Sequence, residues 1–337
     1  MNVTDLVLHV GFPKTATTAL QRRIFPQIPG YIGKHGSEDD RLWLRVLRDW
    51  RVGSASINEH LRQWVQSRSA LGQPRHFLSY EELSGWPSQE DWAIWPMNDT
   101  YRTAHRSGEH PITQFLSHLH RHLPPGWRLR IIMTVRAQGP LLASLYSQLE
   151  GDMQAPGQID FERKVRRFLD EGDSFLDYAS LLLALQSIVT PSDILVLVHE
   201  DGLPENIRRI GSFLTTEVDD SALPSAPKNA KSVGVQEWQA VRRVPLVYAG
   251  PFGTARRALR ARVPRPRRQI ALAVWEHLRR LERLVIARLP SKPASGEKIS
   301  LHPLLLAEIQ NHHALSNNRL SKILGREHMG AEWESTP

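Results

Sequence analysis

Four short apolar runs, separated by stretches of helical period, constrain this chain more than any other feature. They are residues 6–11, 76–79, 130–135 and 193–199. Each is short and rich in Leu, Ile, Val or Phe, the composition of strands buried on both faces. Between them, residues 57–71 carry Leu61, Trp64, Val65 and Leu71 at a spacing that suits one buried helical face. Residues 114–122 and 161–169 have the same texture. Strand–helix alternation of this kind predicts an α/β fold, a parallel sheet with helices on both faces. Ligands on such sheets bind beyond the carboxyl ends of the strands, so residues just after each run are the first candidates for function.

The chain has 337 residues, of which 41% are hydrophobic, enough for a substantial core. Near Leu223 the texture changes. Residues 223–229 form a Pro-, Ser- and Asn-rich connector, and the sequence beyond it is rich in Arg, Leu and Ala with no convincing strand. The expected organisation is an α/β core over residues 1–232 and a helical region, 233–337, packed on it. Cysteine is absent, which excludes disulfides and thiolate metal sites and fits a reducing compartment. The N-terminus lacks the basic and apolar regions of a signal peptide. No segment reaches the roughly 18 apolar residues of a membrane span. A soluble cytoplasmic protein is expected.

The formal net charge is +8. A basic surface suits an anionic ligand, an anionic lipid surface or a nucleic acid. Arg256, Arg257, Arg260, Arg262, Arg265, Arg267 and Arg268 concentrate the excess. They read as a solvated helix face or as a contact for an anionic substrate or membrane. Nucleic acid is disfavoured as a partner, because this run lacks interleaved aromatics or a recognised module.

The first run leads directly into Gly11, Phe12, Pro13, Lys14, Thr15, Ala16, Thr17 and Thr18, then Ala19, Leu20 and Gln21. Gly11 permits a sharp turn at a strand end. The threonines bring hydroxyls to a helix start, where exposed amides and the helix dipole attract anions. Lys14 adds a full positive charge. Together these read as a phosphate cradle; the alternative is an ordinary strand-to-helix turn with a surface lysine. The nucleoside-triphosphatase pattern G-x-x-x-x-G-K-[ST] does not fit, because no second glycine precedes Lys14.

Here the chain resembles the sulfotransferases that use 3′-phosphoadenosine 5′-phosphosulfate. Their 5′-phosphosulfate loop reads roughly G-x-P-K-[TS]-G-T-T-x-L-Q after the first strand. Gly11, Pro13, Lys14, Thr15, Thr17, Thr18, Leu20 and Gln21 match, and Ala16 stands where glycine is usual. In that family an arginine ending a later strand and a serine eight residues on hold the donor's 3′-phosphate. Arg136 and Ser144 take those places, and the segments around them, including Gln138 and Gln148, look like the bacterial branch. Leu141 replaces a second arginine found in cytosolic animal members. Weaker echoes occur at Asp177–Tyr178, at the late run ending in Glu200, Asp201, Gly202 and Leu203, at 227–229, and at Asn317, Asn318, Arg319 and Leu320. The resemblance implies a P-loop-like three-layer α/β/α fold and a donor site built from Gly11, Pro13, Lys14, Thr15, Ala16, Thr17, Thr18, Arg136 and Ser144, with no metal.

Physical chemistry supports the second anchor independently. An arginine fork suits phosphate oxygens. Pro140 favours a helix start, which would place Ser144 just over one turn in, near the positive helix end. The plainer reading pairs Arg136 with a nearby acid and leaves Ser144 as a packing residue.

Sulfuryl transfer, like phosphoryl transfer, depends mainly on positioning and charge stabilisation. Lys14 would offset charge growing on the leaving 5′-phosphate. A hydroxyl acceptor, carbohydrate or lipid, needs a base. Glu81 is the candidate, with Glu82 as competitor; a helix cap is the alternative role for a carboxylate placed there. His9 and His76, inside strands, are weaker candidates. His35 could line the cleft, and Lys34 could help hold the sulfate. Two other functions compete: a P-loop-like nucleotide kinase or ATPase, and a catalytically inactive nucleotide-binding protein.

Overall fold

The computed structural model describes residues 3–33, 41–80, 83, 109–149, 157–172, 174–219, 221, 232–234, 237–239, 244–245, 291–292, 298–330 and 332–333. Four parallel strands form the central sheet: β1 (Thr4–His9), β2 (Arg75–Ser79), β3 (Trp127–Val135) and β4 (Ile194–Val198). All four apolar runs are therefore strands. Their order is β2-β1-β3-β4. β3 begins at Trp127 rather than Arg130, so beside Arg130 it takes in a second arginine, Arg128, which the apolar run left out. Neighbouring carboxylates make this possible. Arg128 lies 2.7 Å from Asp193, and Arg130 donates to Asp5 at 3.2 Å.

Alternation along each strand divides the core into two layers. Leu6, Leu8, Leu78, Leu129, Ile131, Met133, Val135, Val196 and Val198 join one buried cluster. Val7, Phe77, Ile132 and Leu197 join the other. The second face is covered by a short segment after β1 and by a helix after β4. The segment starts as α1 (Thr17–Ala19), widens into a π turn over Leu20–Ile24 and tightens to a 3₁₀ turn over Phe25–Gln27. It contributes Leu20, Ile24 and Phe25; the later helix contributes Ile207, Ile210 and Leu214.

The first face carries α2 (Arg41–Val52), α3 (Ile57–Ser69), α4 (Pro111–His122), α5 (Gln138–Leu149), α6 (Gln158–Asp170) and α7 (Tyr178–Gln186). The helix after β4 is α8 (Leu203–Leu214). Helices on both faces of a parallel sheet make a three-layer α/β fold.

Beyond residue 231 the described chain has strands as well as a helix, which the sequence reading did not anticipate. β5 (Ser232–Gly234), β6 (Glu237–Gln239) and β9 (Lys298–Ser300) form an antiparallel sheet, and β7 (Val244–Pro245) pairs with β8 (Ser291–Lys292). Strands of two or three residues are too short for alternation to register in a sequence. The helix α9 (Pro303–Ile323) returns to the core and buries Leu305, Ile309 and Leu320. Among the described residues no helix is long and apolar enough to cross a membrane.

Candidate functional site

The strand order fixes where a ligand can sit. β2 lies on one side of β1 and β3 on the other, so the chain reverses direction across the sheet at β1. The connections leaving β1 and β3 diverge there and open a crevice beyond the strand ends. The loop after β1 carries Lys14, and the residue after β3 is Arg136. Both sequence-derived anchors therefore flank the same crevice.

The first loop has an unusual backbone. Lys14 has φ 69° and Ala16 has φ 63°, whereas Thr15 is not among the positive-φ residues. Left-handed geometry at a non-glycine residue costs about 1–2 kcal/mol. Alternating backbone handedness of this kind turns successive amides toward one concavity, an anion-binding arrangement. The surroundings hold it in place. Phe12 is fully buried, its N–H donates to the Thr134 carbonyl at 3.1 Å, and its ring meets Phe175 and Tyr178 edge-on. The Thr15 hydroxyl donates to the Phe12 carbonyl at 2.6 Å, so its proton belongs to the loop. Gly11 and Pro13 are buried; Lys14, Ala16 and Thr18 are half-buried, and Thr17 is 2% exposed. Ala16, where the resembling family has glycine, indeed adopts the conformation that favours glycine.

The helix expected after the loop is a single α turn before the π widening. The π and 3₁₀ turns continue the same helical direction to Gln27, so the segment still turns its amide end toward the loop. The anion-binding capacity of the loop rests on its amides and Lys14.

Arg136 reaches across the crevice and donates from Nη1 to the Lys14 carbonyl at 3.0 Å. Its Nε has no hydrogen-bond partner among the described residues. Burial lowers its pKa, while Glu200, Glu332 and Tyr178 act to raise it. A guanidinium in such a place stays charged. The plainer reading, in which Arg136 pairs with a nearby acid, is thus part of the answer, since Glu200 is its main electrostatic partner. Glu200 itself is largely buried, which raises its pKa; it accepts from the Ala137 N–H and from Trp333 Nε1, both at 3.1 Å. Tyr178 donates to the Arg136 carbonyl at 2.8 Å. His199 is held neutral, its pKa lowered to about 4 by burial and then by Arg136, against a hydrogen bond to the Thr15 backbone.

Ser144 lies in the second turn of α5 and is half-buried. The helix starts at Gln138, ahead of Pro140, because proline is tolerated anywhere in a first turn, where amides lack helical partners. Ser144 is therefore further from the positive helix end than the sequence suggested. Leu141 is fully buried in the core.

Several residues join this site that the sequence did not single out for a functional role. Gln138, 2% exposed, pairs with Asn317 of α9: its Nε2 donates to Asn317 Oδ1 at 2.7 Å. Asn317 in turn donates to the Trp333 carbonyl at 3.0 Å. The C-terminal segment is thereby tied to the residues around Arg136. Glu200 and Asn317 did belong to segments of family resemblance; Trp333 and Glu332 had no signal at all.

Among the histidine candidates, His9 and His76 are both fully buried. His76 stacks on Trp127 with ring centroids 5.1 Å apart. Neither is placed to meet an acceptor. Glu81, Glu82, Lys34, His35 and residues 256–268 lie outside the described residues. Ser79 and Tyr80, which lead into Glu81, are described; the Tyr80 N–H donates to the His9 carbonyl at 3.1 Å, at the strand ends that carry the loop.

No family model and no curated protein matches the chain. Among solved structures, a sulfotransferase from Alicyclobacillus acidocaldarius is similar with a TM-score of 0.40 and 13% identity, over 66% of this chain and 86% of that one. Mouse sulfotransferase SULT7A1, complexed with PAP, is similar with a TM-score of 0.34 and 13% identity, over 65% of this chain and 61% of that one. Likeness this remote does not bear on the chemistry of the site.

Proposed function

We propose that this chain is a sulfotransferase that takes the sulfuryl group from 3′-phosphoadenosine 5′-phosphosulfate and delivers it to a hydroxyl of a carbohydrate or lipid. The observation that carries this reading is the pairing of two cationic anchors across the crevice, with Arg136 hydrogen-bonded to the Lys14 carbonyl beside a loop of alternating handedness. A donor with phosphates at both its 5′ and 3′ ends suits a site with a cation on each side. The loop amides and Lys14 would hold the 5′-phosphosulfate, and Arg136, with Ser144, the 3′-phosphate.

In the reaction the acceptor oxygen bonds to sulfur as the bond from sulfur to the 5′-phosphate oxygen breaks. Charge grows on the departing phosphate, and Lys14 offsets it where it develops. The loop needs no rearrangement at that moment, because buried Phe12 and the Thr15 hydroxyl already hold its shape. Glu81 would receive the acceptor's proton. The arginines at 256–268 would contact an anionic acceptor or surface.

Lys14→Ala tests this reading. Lys14 is half-buried on a loop, and its loss should leave the fold intact. Donor consumption should fall by at least about a hundredfold. Near-full activity in a folded Lys14→Ala protein would remove the basis of the reading.

A further inference from the structure

One side chain ties together the carboxyl ends of three strands. His9 ends β1 and is fully buried. Its Nδ1 lies 2.8 Å from Ser79 Oγ, at the end of β2, and its Nε2 lies 3.0 Å from Thr134 Oγ1, near the end of β3. Gln21 Nε2, from the turn after the loop, donates to Ser79 Oγ at 3.0 Å. One arrangement of protons satisfies the chain of groups. Gln21 donates to Ser79, the Ser79 hydroxyl donates to His9 Nδ1, and His9 Nε2–H donates to Thr134. It requires a neutral imidazole, and burial supplies one by lowering the pKa of His9 to about 3.

Backbone hydrogen bonds tie the chain to β3 only as far as Phe12, through Val10 to the Ile132 carbonyl at 2.8 Å and Phe12 to the Thr134 carbonyl at 3.1 Å, and Lys14 lies beyond them. The paired register of β1 ends with His9 opposite Ser79 and Ile132. Past that point the chain enters the loop. A Cβ built on Gly11 would lie 2.7 Å from His9 Nε2 and 3.1 Å from Thr17 Cγ2, so the loop backbone rests directly on the imidazole. A ring displaced toward Gly11 would push on the loop. Ser79 stands just before the Tyr80–Glu81 segment, and Thr134 just before Val135 and Arg136.

We propose that His9 is the positioning residue of this site, fixing the Lys14 loop relative both to the segment leading to Glu81 and to the strand that leads into Arg136. The inference rests on the donor-binding reading above. A polar ring at a fully buried position is costly unless hydrogen-bonded, and this one is bonded at both nitrogens to groups that precede the two other parts of the site. A ring that served only to fill space would be replaced by Phe without consequence for binding.

Calorimetry with adenosine 3′,5′-bisphosphate, alongside thermal melts, tests it. Thr134→Val keeps the shape but removes the acceptor, and should weaken binding about threefold to tenfold, the range of one lost buried hydrogen bond. Thr134→Ser restores the hydroxyl and should bind as the wild type does. His9→Phe should weaken binding at least about tenfold, and His9→Gln, whose amide can still reach Thr134, should fall between Phe and wild type. Leu185→Val, in the core on the far side of the sheet from Phe25 and α8, should lower the melting temperature without changing affinity. Wild-type affinity in folded Thr134→Val and His9→Gln overturns the inference, as does an affinity loss in Leu185→Val in step with its melting temperature. A wild-type protein that fails to bind the bisphosphate refutes the donor reading and this inference with it; wild-type binding with unaffected variants refutes the inference alone.

Discussion

Ala16→Gly should stabilise this protein, although glycine usually does the opposite. Ala16 sits at φ 63° and ψ 13°, squarely left-handed. That geometry costs an L-residue with a Cβ about 1–2 kcal/mol, and glycine nothing. Against this, the more flexible unfolded chain of the glycine variant offsets about 0.4–1 kcal/mol. The difference leaves a net gain of up to about 1.6 kcal/mol, or a rise in melting temperature of up to about 2 °C for a chain of this size. Ala16→Val should move the other way by more than that, since a β-branched residue tolerates positive φ least. Lys14, at φ 69°, bears the same strain but cannot be relieved without losing its charge. Denaturant titrations of the two Ala16 variants, with bisphosphate affinity measured on the same samples, provide the assay. If the loop shape is the anion site, Ala16→Gly should bind at least as well as the wild type. A glycine variant that is less stable would show that residue 16 is not strained, and the account of the loop would fall.

Three further outcomes are expected. Glu81→Gln should lower turnover about a hundredfold to ten-thousandfold while leaving bisphosphate affinity nearly unchanged; if Glu82→Gln is the silent variant instead, the base lies one residue on, and if neither is, the carboxylates are caps. Arg136→Ala should weaken the bisphosphate much more than adenosine 5′-phosphate, and equal losses for the two ligands would place the 3′-phosphate elsewhere. Acid should destabilise the fold from about pH 6.5 downward: His9, His199 and His313 are held neutral by burial, with pKa values of about 3, 4 and 3, against about 6.5 unfolded. The unfolded chain binds more protons in that window, so stability is complete above pH 6.5 and drains as pH falls toward 4, by at most on the order of 4 kcal/mol per pH unit; melting temperatures that stay flat from pH 7.5 to 5 would contradict the burial of these rings.

The sheet was legible because its strands are buried on both faces, and continuous apolar runs such as residues 130–135 have few other uses. The loop was legible because glycine, proline and lysine at a strand end are local signals. Features that depend on partners distant in sequence were not. Nothing local shows that Arg128 belongs to β3, since the carboxylates beside it lie at Asp193 and Asp5. Nothing local shows that Trp333 would donate to Glu200, or that Asn317 would meet Gln138. The π widening after Ala19 is equally silent, because Leu20, Ile24 and Phe25 suit an ordinary helical face as well. The place of His9 inside a strand counted against it as a base, but its role as a bridge required knowing that β2 and β3 flank β1.

The central claim is that the crevice recognises a nucleotide by phosphates at both ends. Titration calorimetry of the wild-type protein with adenosine 3′,5′-bisphosphate and with ATP tests it most directly. Binding of the bisphosphate at least about tenfold tighter than ATP, a difference of about 1.4 kcal/mol, is the predicted result. Equal affinities, or a preference for ATP, would contradict the account.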